Sequence, residues 1–254
     1  MLTPKQAVEQ VRIMLQWRAS ERNRLERLHA YIHGKQRAAW LADCLPEEVR
    51  ALARISRVNV LGLVVDSMAQ SMYVDGYRAT NTDGEAPAWD IWQRNKMDAR
   101  QIGVHRAARG YGASYAVVLP GDPVPVIRGV SPRMLTAVYG EDDDWPLWAL
   151  EKRRSDTPGE SLFRLLDDEA AYYVRTGSAE SDVTYIETRE YVEPIGVVPV
   201  VRFQAKSDLD ENVTSEIDDL ICIQDQIDLT TFGLLVAQHY EAFRQRWIIG
   251  WTAE

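Results

Sequence analysis

Few groups of side chains in this sequence have the types and spacing that chemistry can use. His29 and His33 stand four residues apart on a helical stretch, a spacing that turns two imidazoles toward one metal, and Cys44 follows a little later. No HExxH frame surrounds them, and an exposed helix end is by far the better account of the pair. Asp208, Asp210 and Asn212 match the first three ligand positions of an EF-hand loop, with Asp219 where the final acid belongs. Val213 occupies the glycine position, however, and a strand pattern precedes the loop where a helix should. Asp142, Asp143 and Asp144 are consecutive, whereas a two-metal nuclease draws its acids from separated elements of a rigid core; three in a row describe a solvated turn. Gly110-Tyr111-Gly112-Ala113-Ser114 follows a helix and precedes a strand, the reverse of a Rossmann turn, and is no GxSxG elbow. No residue set meets the joint requirements of nucleophile, base and oxyanion donor. The reading is of a chain with no catalytic residues, no cofactor motif and no metal site.

What remains is electrostatic. Between Lys206 and Arg244 there is no Lys or Arg, while Asp208, Asp210, Glu211, Glu216, Asp218, Asp219, Asp225, Asp228 and Glu241 all occur. Through the same stretch Ile217, Leu220, Ile221, Ile227, Leu234 and Leu235 recur at three- and four-residue steps, helped by Thr231. This predicts a helix from an N-cap at Thr214 or Ser215 to about Tyr240, roughly 40 Å long at about 1.5 Å per residue. Asp218, Asp225 and Asp228 can share one face of it, without a His or Cys at ligand spacing. The helix reads as a rod that packs on one side and shows negative charge on another. Its apolar stripe is expected to meet a neighbouring subunit or further chain.

The remaining elements must position this rod. The formal charge is 29 − 38 = −9 over 254 residues, which argues against gripping nucleic acid through phosphate neutralisation but not against letting it slide past. Two cysteines, far apart, fit a reducing compartment with no disulfide or zinc framework. The charged N-terminal residues are no signal peptide, and no uncharged apolar run approaches the ~20 residues of a membrane span. These features read as a soluble intracellular product.

In chain order, residues 3–31 carry a helical stripe (Val8, Val11, Leu15, Leu25, Leu28, Ile32) with Pro4 at its start and Gly34 at its end. A second helix follows Pro46. Residues 58–72 are apolar on most sides, which predicts a fully buried helix at the centre of the first domain. A short helix carrying Trp89 and Trp92 follows, then one expected to be capped by Asp98 and to run to Gly110. From Ser114 the period changes to two, and seven strand-like runs separated by turn residues fill the stretch to Val192, with an eighth at 200–203. Helices, then an antiparallel β region, then a long helix make an α+β chain. Residues 244–251 look like a strand just starting, so another chain, or a longer protein, is expected to complete that edge.

Taken whole, the sequence resembles the portal proteins of tailed bacteriophages, in the group typified by long-tailed phages of Gram-positive hosts. The resemblance rests on several segments in order. They are Tyr31-Ile32-His33-Gly34, RVNVLGLVVDSMAQSMYVDGYR, IWQRNKMDARQIGVHRAARGYGASYAVV, Ser131-Pro132, VPVVRF, SEIDDLICIQDQID and RQRWIIG. It implies a wing domain over residues 1–206, a loop and first stem helix over 207–242, and the start of a clip over 243–254. The second stem helix, tunnel loop and crown of the family have no counterpart in these residues. It further implies a non-enzymatic, dodecameric ring at one capsid vertex, assembled in the host cytoplasm, through which double-stranded DNA is packaged and ejected without tight binding. Partners would be other copies of the chain, terminase, a head-completion adaptor, capsid and scaffolding proteins, with no cofactor and no membrane. Ile217, Leu220, Ile221, Ile227, Leu234 and Leu235 would form the subunit interface, and Asp218, Asp219, Asp225 and Asp228 would face the channel. The alternatives are a metal-dependent phage nuclease using the Asp208 to Asp219 acids, or an adaptor or scaffold domain that forms no ring.

Overall fold

The computed structural model describes residues 1–37, 46–77, 87–141, 144–177, 182–192, 195–206, 213–242 and 250. Its first helix, α1 (Pro4–Ile32), starts at a capping box in which Thr3 and Gln6 satisfy each other's backbone N–H, with Pro4 where no amide partner is needed. It ends at Gly34, whose φ of +64° closes the helix. At about 1.5 Å per residue it is roughly 43 Å long, and it serves two cores. Ala7, Val11, Met14 and Leu15 pack on a β-sheet, whereas Leu28, Tyr31 and Ile32 join a helical cluster.

That cluster gathers α3 (Val60–Gln70) and α5 (Met97–Tyr111), with α4 (Pro87–Arg94) beside α5, while α2 (Glu47–Ile55) packs instead on the last helix, Ile221–Ala242. The fully buried helix expected at 58–72 is one-sided instead. Leu61, Gly62, Val65 and Ala69 are buried, but Val58 and Leu63 are exposed, Leu63 by 69%. A helix at the surface of a cluster turns one side to its neighbours, here α1 and α5, and the other to solvent, whatever its composition. Asp98 does not cap α5 either. Lys96, in the left-handed region at φ +55°, precedes the helix, and Asp98 accepts a bond from the Trp92 indole at 3.2 Å.

All eight predicted strands form, and they divide into two antiparallel sheets. One has the order β2-β1-β8, from β2 (Val126–Val130), β1 (Ala113–Leu119) and β8 (Val200–Gln204). The other is a meander, β3 (Leu135–Tyr139), β4 (Pro146–Arg153), β5 (Ser161–Leu166), β6 (Ala170–Thr176) and β7 (Val183–Glu190). The tight β5–β6 turn is held by Asp167, whose carboxylate accepts the Glu169 and Ala170 amides at 2.9 and 2.6 Å and the Tyr172 hydroxyl at 2.7 Å. One face of the meander (Leu150, Phe163, Leu165, Tyr172) takes the first half of α1. Its other face (Leu135, Ala149, Leu166, Ala171) packs on Tyr115, Val117 and Val200 of the three-stranded sheet. Each fully buried Leu, Val or Phe among them contributes about 1.5–3 kcal/mol.

Candidate functional site

The long acidic helix begins with one 3-10 turn, Asp218–Leu220, and continues as α6, Ile221–Ala242. At 22 residues α6 is roughly 33 Å long, shorter than expected because the acids of the first turn sit in the 3-10 segment. What the sequence leaves open is how such a rod is fixed to the body. The structure answers with a set of polar side chains.

The approach to the helix is locked first. Gly112 has φ +95°, and a Cβ there would lie 2.8 Å from the Thr214 carbonyl oxygen, so only glycine lets α5 turn into β1 beside this segment. Ser215 donates to the Gly110 carbonyl at 2.8 Å and accepts from the Ile217 amide at 3.2 Å. The Glu216 amide donates to the Arg109 carbonyl at 3.2 Å, and its carboxylate pairs with Arg109 at 2.6 Å. Arg24 of α1 donates to the Val213 carbonyl at 2.7 Å and reaches Asp218 at 3.4 Å.

The first turns of α6 then serve as the cap of α3. Asn59 takes only the Gly62 amide, at 3.0 Å, and the Val60 amide reaches the Val58 carbonyl at 3.0 Å, which leaves the first turn short of acceptors. Gln224 supplies one: its Oε1 accepts the Val60 and Leu61 amides at 3.1 and 3.3 Å, while its Nε2 donates to the Val58 carbonyl at 2.6 Å. Asp228, 5% exposed, accepts the Val58 amide at 3.2 Å, Gln36 Nε2 at 2.8 Å and Gln224 Nε2 at 2.9 Å. One turn back, Tyr31 donates to Asp225 at 2.7 Å. Burial, reinforced by this bond to a carboxylate, pushes the Tyr31 phenol up to about 12.

The predicted site residues therefore separate. Ile217 and Ile221 are buried in the chain's own helical core with Leu28, Leu61, Val65 and Tyr111, and Leu220 packs against it. Ile227 and Leu235 are half-buried, and Leu234 is exposed. The buried line on the helix is Ile217, Ile221, Gln224 and Asp228, at alternating four- and three-residue steps. Of the acids, Asp218, Asp225 and Asp228 accept internal hydrogen bonds, while Asp219 is exposed. Gln224, Gln36, Tyr31 and Arg24 were not anticipated. The one sequence signal was a polar pair, Gln224 and Asp228, falling in phase with the apolar stripe.

Beyond Asp228 no residue of α6 is buried. Ile223, Leu229, Leu234 and Tyr240 are exposed, and Ile223, Ile227 and Leu234 lie on one side, about a quarter-turn from the buried line. By length and composition the segment Asp218–Ala242 is apolar enough to cross a membrane, and only 17% of its most apolar window is buried within the chain.

The other chemical candidates gain no geometry. The His29 and His33 rings are 4.3 Å apart, but His29 Nδ1 is engaged by the Tyr111 hydroxyl at 2.8 Å, and burial together with nearby cations holds both imidazoles below their ordinary pKa. Cys44, Asp142, Asp143, Asp208, Asp210, Asn212 and, but for Gly250, the 244–251 run lie outside the described residues. Among the described residues no three His, Cys, Asp or Glu side chains converge as a metal site.

The sequence pattern of one family, described as phage portal protein, SPP1 Gp6-like, matches residues 14–254. No curated protein matches the chain.

Proposed function

The chain belongs to the phage portal protein family of the SPP1 Gp6-like kind, and on that premise we propose that it is a ring-forming, non-enzymatic component of one capsid vertex, through which DNA is packaged and ejected. Residues 1–206 act as the wing, α6 as the first stem helix, and residues 243–254 enter the clip. The observation that carries this reading is α6 itself: bolted to the body by Gln224 and Asp228 at one end, with an uncovered apolar face along the rest. In a rotationally symmetric ring the same face meets the next copy on every subunit, so a head-to-tail contact covers it all the way round.

The absence of Lys and Arg between 206 and 244 suits the passage of DNA, because a helix without cations neutralises no phosphates and releases no counterions. Asp218, Asp225 and Asp228 are committed to holding the helix, so Asp219 is the acid of the four left to face a channel. Terminase, a head-completion adaptor, capsid and scaffolding proteins are the partners this role requires, and a dodecamer is the assembly. No geometry among the described residues favours a metal-dependent nuclease.

The interface residues are best tested away from the chain's own core. Ile223→Ser with Leu234→Ser removes exposed apolar side chains whose burial contributes about 1.5–3 kcal/mol each, so association weakens by at least about tenfold per side chain. Sedimentation velocity should show smaller species while circular dichroism stays that of the wild type, and negative-stain images of the wild type should show rings with a central hole. A wild-type chain that stays monomeric at every concentration, or a double variant that assembles unchanged, overturns the reading.

A further inference from the structure

A second polar cluster lies between the two sheets, where none of the portal reading requires one. Glu151 of β4 and Arg164 of β5 are paired across the meander and are 2% and 5% exposed. Three guanidinium groups converge on the single Glu151 carboxylate. Arg164 Nη2 reaches Oε2 at 2.5 Å, Arg153 Nη1 reaches Oε1 at 3.3 Å, and Arg128, arriving from β2 of the other sheet, bonds the same Oε1. Among the described residues no other carboxylate pairs with any of the three.

The charge count is three cations to one anion, a local excess of two in a chain whose total is −9. A guanidinium cannot escape by losing its proton, so this excess persists at every ordinary pH. Arg164 and Glu151 are buried and Arg128 and Arg153 only in part, so an anion arriving at the open side would offset charge that water reaches poorly. Two signs of unmet demand are visible. Arg164 Nε is buried without a hydrogen-bond partner. Arg128 is pushed below its usual pKa, by burial first and by Arg153 and Arg164 next, against the pull of Glu151. Arg128 and Arg153 share one oxygen, so their like charges sit side by side, and their side chains remain 38% and 36% exposed. Each spends few of its five N–H donors on Glu151. Side-by-side planar forks with spare donors, open to water and backed by a buried third cation, match the oxygens of a tetrahedral dianion.

We propose that Arg128, Arg153 and Arg164, gathered by Glu151, form a binding site for a phosphate group, entered past Arg128 and Arg153. The group is that of inorganic phosphate or of a nucleic-acid backbone, two sources with the same chemistry. Glu151 is the positioning residue, orienting the guanidiniums while cancelling only one of their charges. The site stands whether or not the chain forms a ring.

The full chain is titrated with inorganic phosphate at ionic strength held constant with chloride, followed by calorimetry and by melting temperature. The expected result is saturable binding of one phosphate per chain, with a stabilisation that chloride does not give. Arg128→Gln with Arg153→Gln should weaken binding by about tenfold for each guanidinium removed, the effect of one charge-assisted hydrogen bond. Glu151→Gln keeps one acceptor oxygen to hold the guanidiniums but raises the local excess from two to three, so it should bind phosphate more tightly and gain more melting temperature from it than the wild type. This opposite-signed variant keeps the test decisive if the double variant does not fold. Competition of bound phosphate by a short DNA duplex identifies the backbone as the source, and failure to compete identifies free phosphate; either supports the site. No saturable binding to the wild type, binding undiminished in the double variant, or unchanged phosphate response in Glu151→Gln overturns it.

Discussion

Asp228 offers the sharpest test of how the long helix is attached. Asp228→Ala removes the acceptor of three donors at a site only 5% exposed: the Val58 amide, the Gln36 amide and the Gln224 amide. Hydrogen bonds to a charged group contribute about 1.5–3 kcal/mol each, and a buried donor left unpaired costs about 1–3. Because Gln224 keeps its bond to the Val58 carbonyl at 2.6 Å and Gln36 can reorient, the sum should be less than fully additive, roughly 3–5 kcal/mol. At about 2–4 °C per kcal/mol for a chain of this size, the melting temperature falls by roughly 6–20 °C. Asp228→Asn behaves differently. The side-chain oxygen still accepts from Val58 and Gln224, and its new NH2 group meets Gln36, whose Oε1 is buried without a partner. A turn of the Gln36 amide restores the contact, so this variant costs only about 1 kcal/mol. Urea and thermal unfolding at matched protein concentration measure both, and hydrogen exchange at Val58, Val60 and Leu61 reports the cap directly. Equal losses in the two variants would mean that the negative charge, not the hydrogen-bond geometry, holds the helix. No loss in Asp228→Ala would mean that Gln224 and the buried isoleucines suffice.

Gly112→Ala should destabilise the chain by several kcal/mol, since a Cβ meets the Thr214 backbone at 2.8 Å and φ is +95°; unfolding within about 1 kcal/mol of wild type would show that the 213–215 segment yields. His29, His33 and His105 are all held below their ordinary pKa, chiefly by burial. The unfolded chain therefore binds protons first, and the stability these imidazoles give above about pH 6.5 is lost as pH falls through their depressed values. Urea midpoints at about pH 7.5 and 5.5 should decline on acidification, before most carboxylates titrate, and a flat or rising profile refutes the assignment.

The element string and the α+β class were legible in the sequence because short-range physics sets them. Alternating apolar residues between glycine, proline and aspartate turns mark each of the eight strands, and Pro4 and Gly34 bracket α1 within a residue or two. Family resemblance was legible too, since the order of short segments survives without any one diagnostic motif. Burial of charge was not. A periodic reading assigns every aspartate to solvent, yet Asp228 is inside because donors from 170 and 192 residues away, Val58 and Gln36, meet it there. The division into two sheets was hidden for the same reason: β8 pairs with β1 across the whole meander, a register no local pattern encodes. The arginine cluster on Glu151 draws from three strands of two sheets, with nothing in the spacing of 128, 151, 153 and 164 to announce it. Local propensity depends on neighbours in the chain and can be read from them. Whether a polar group is paid for by a partner depends on neighbours in space, which only the folded chain supplies.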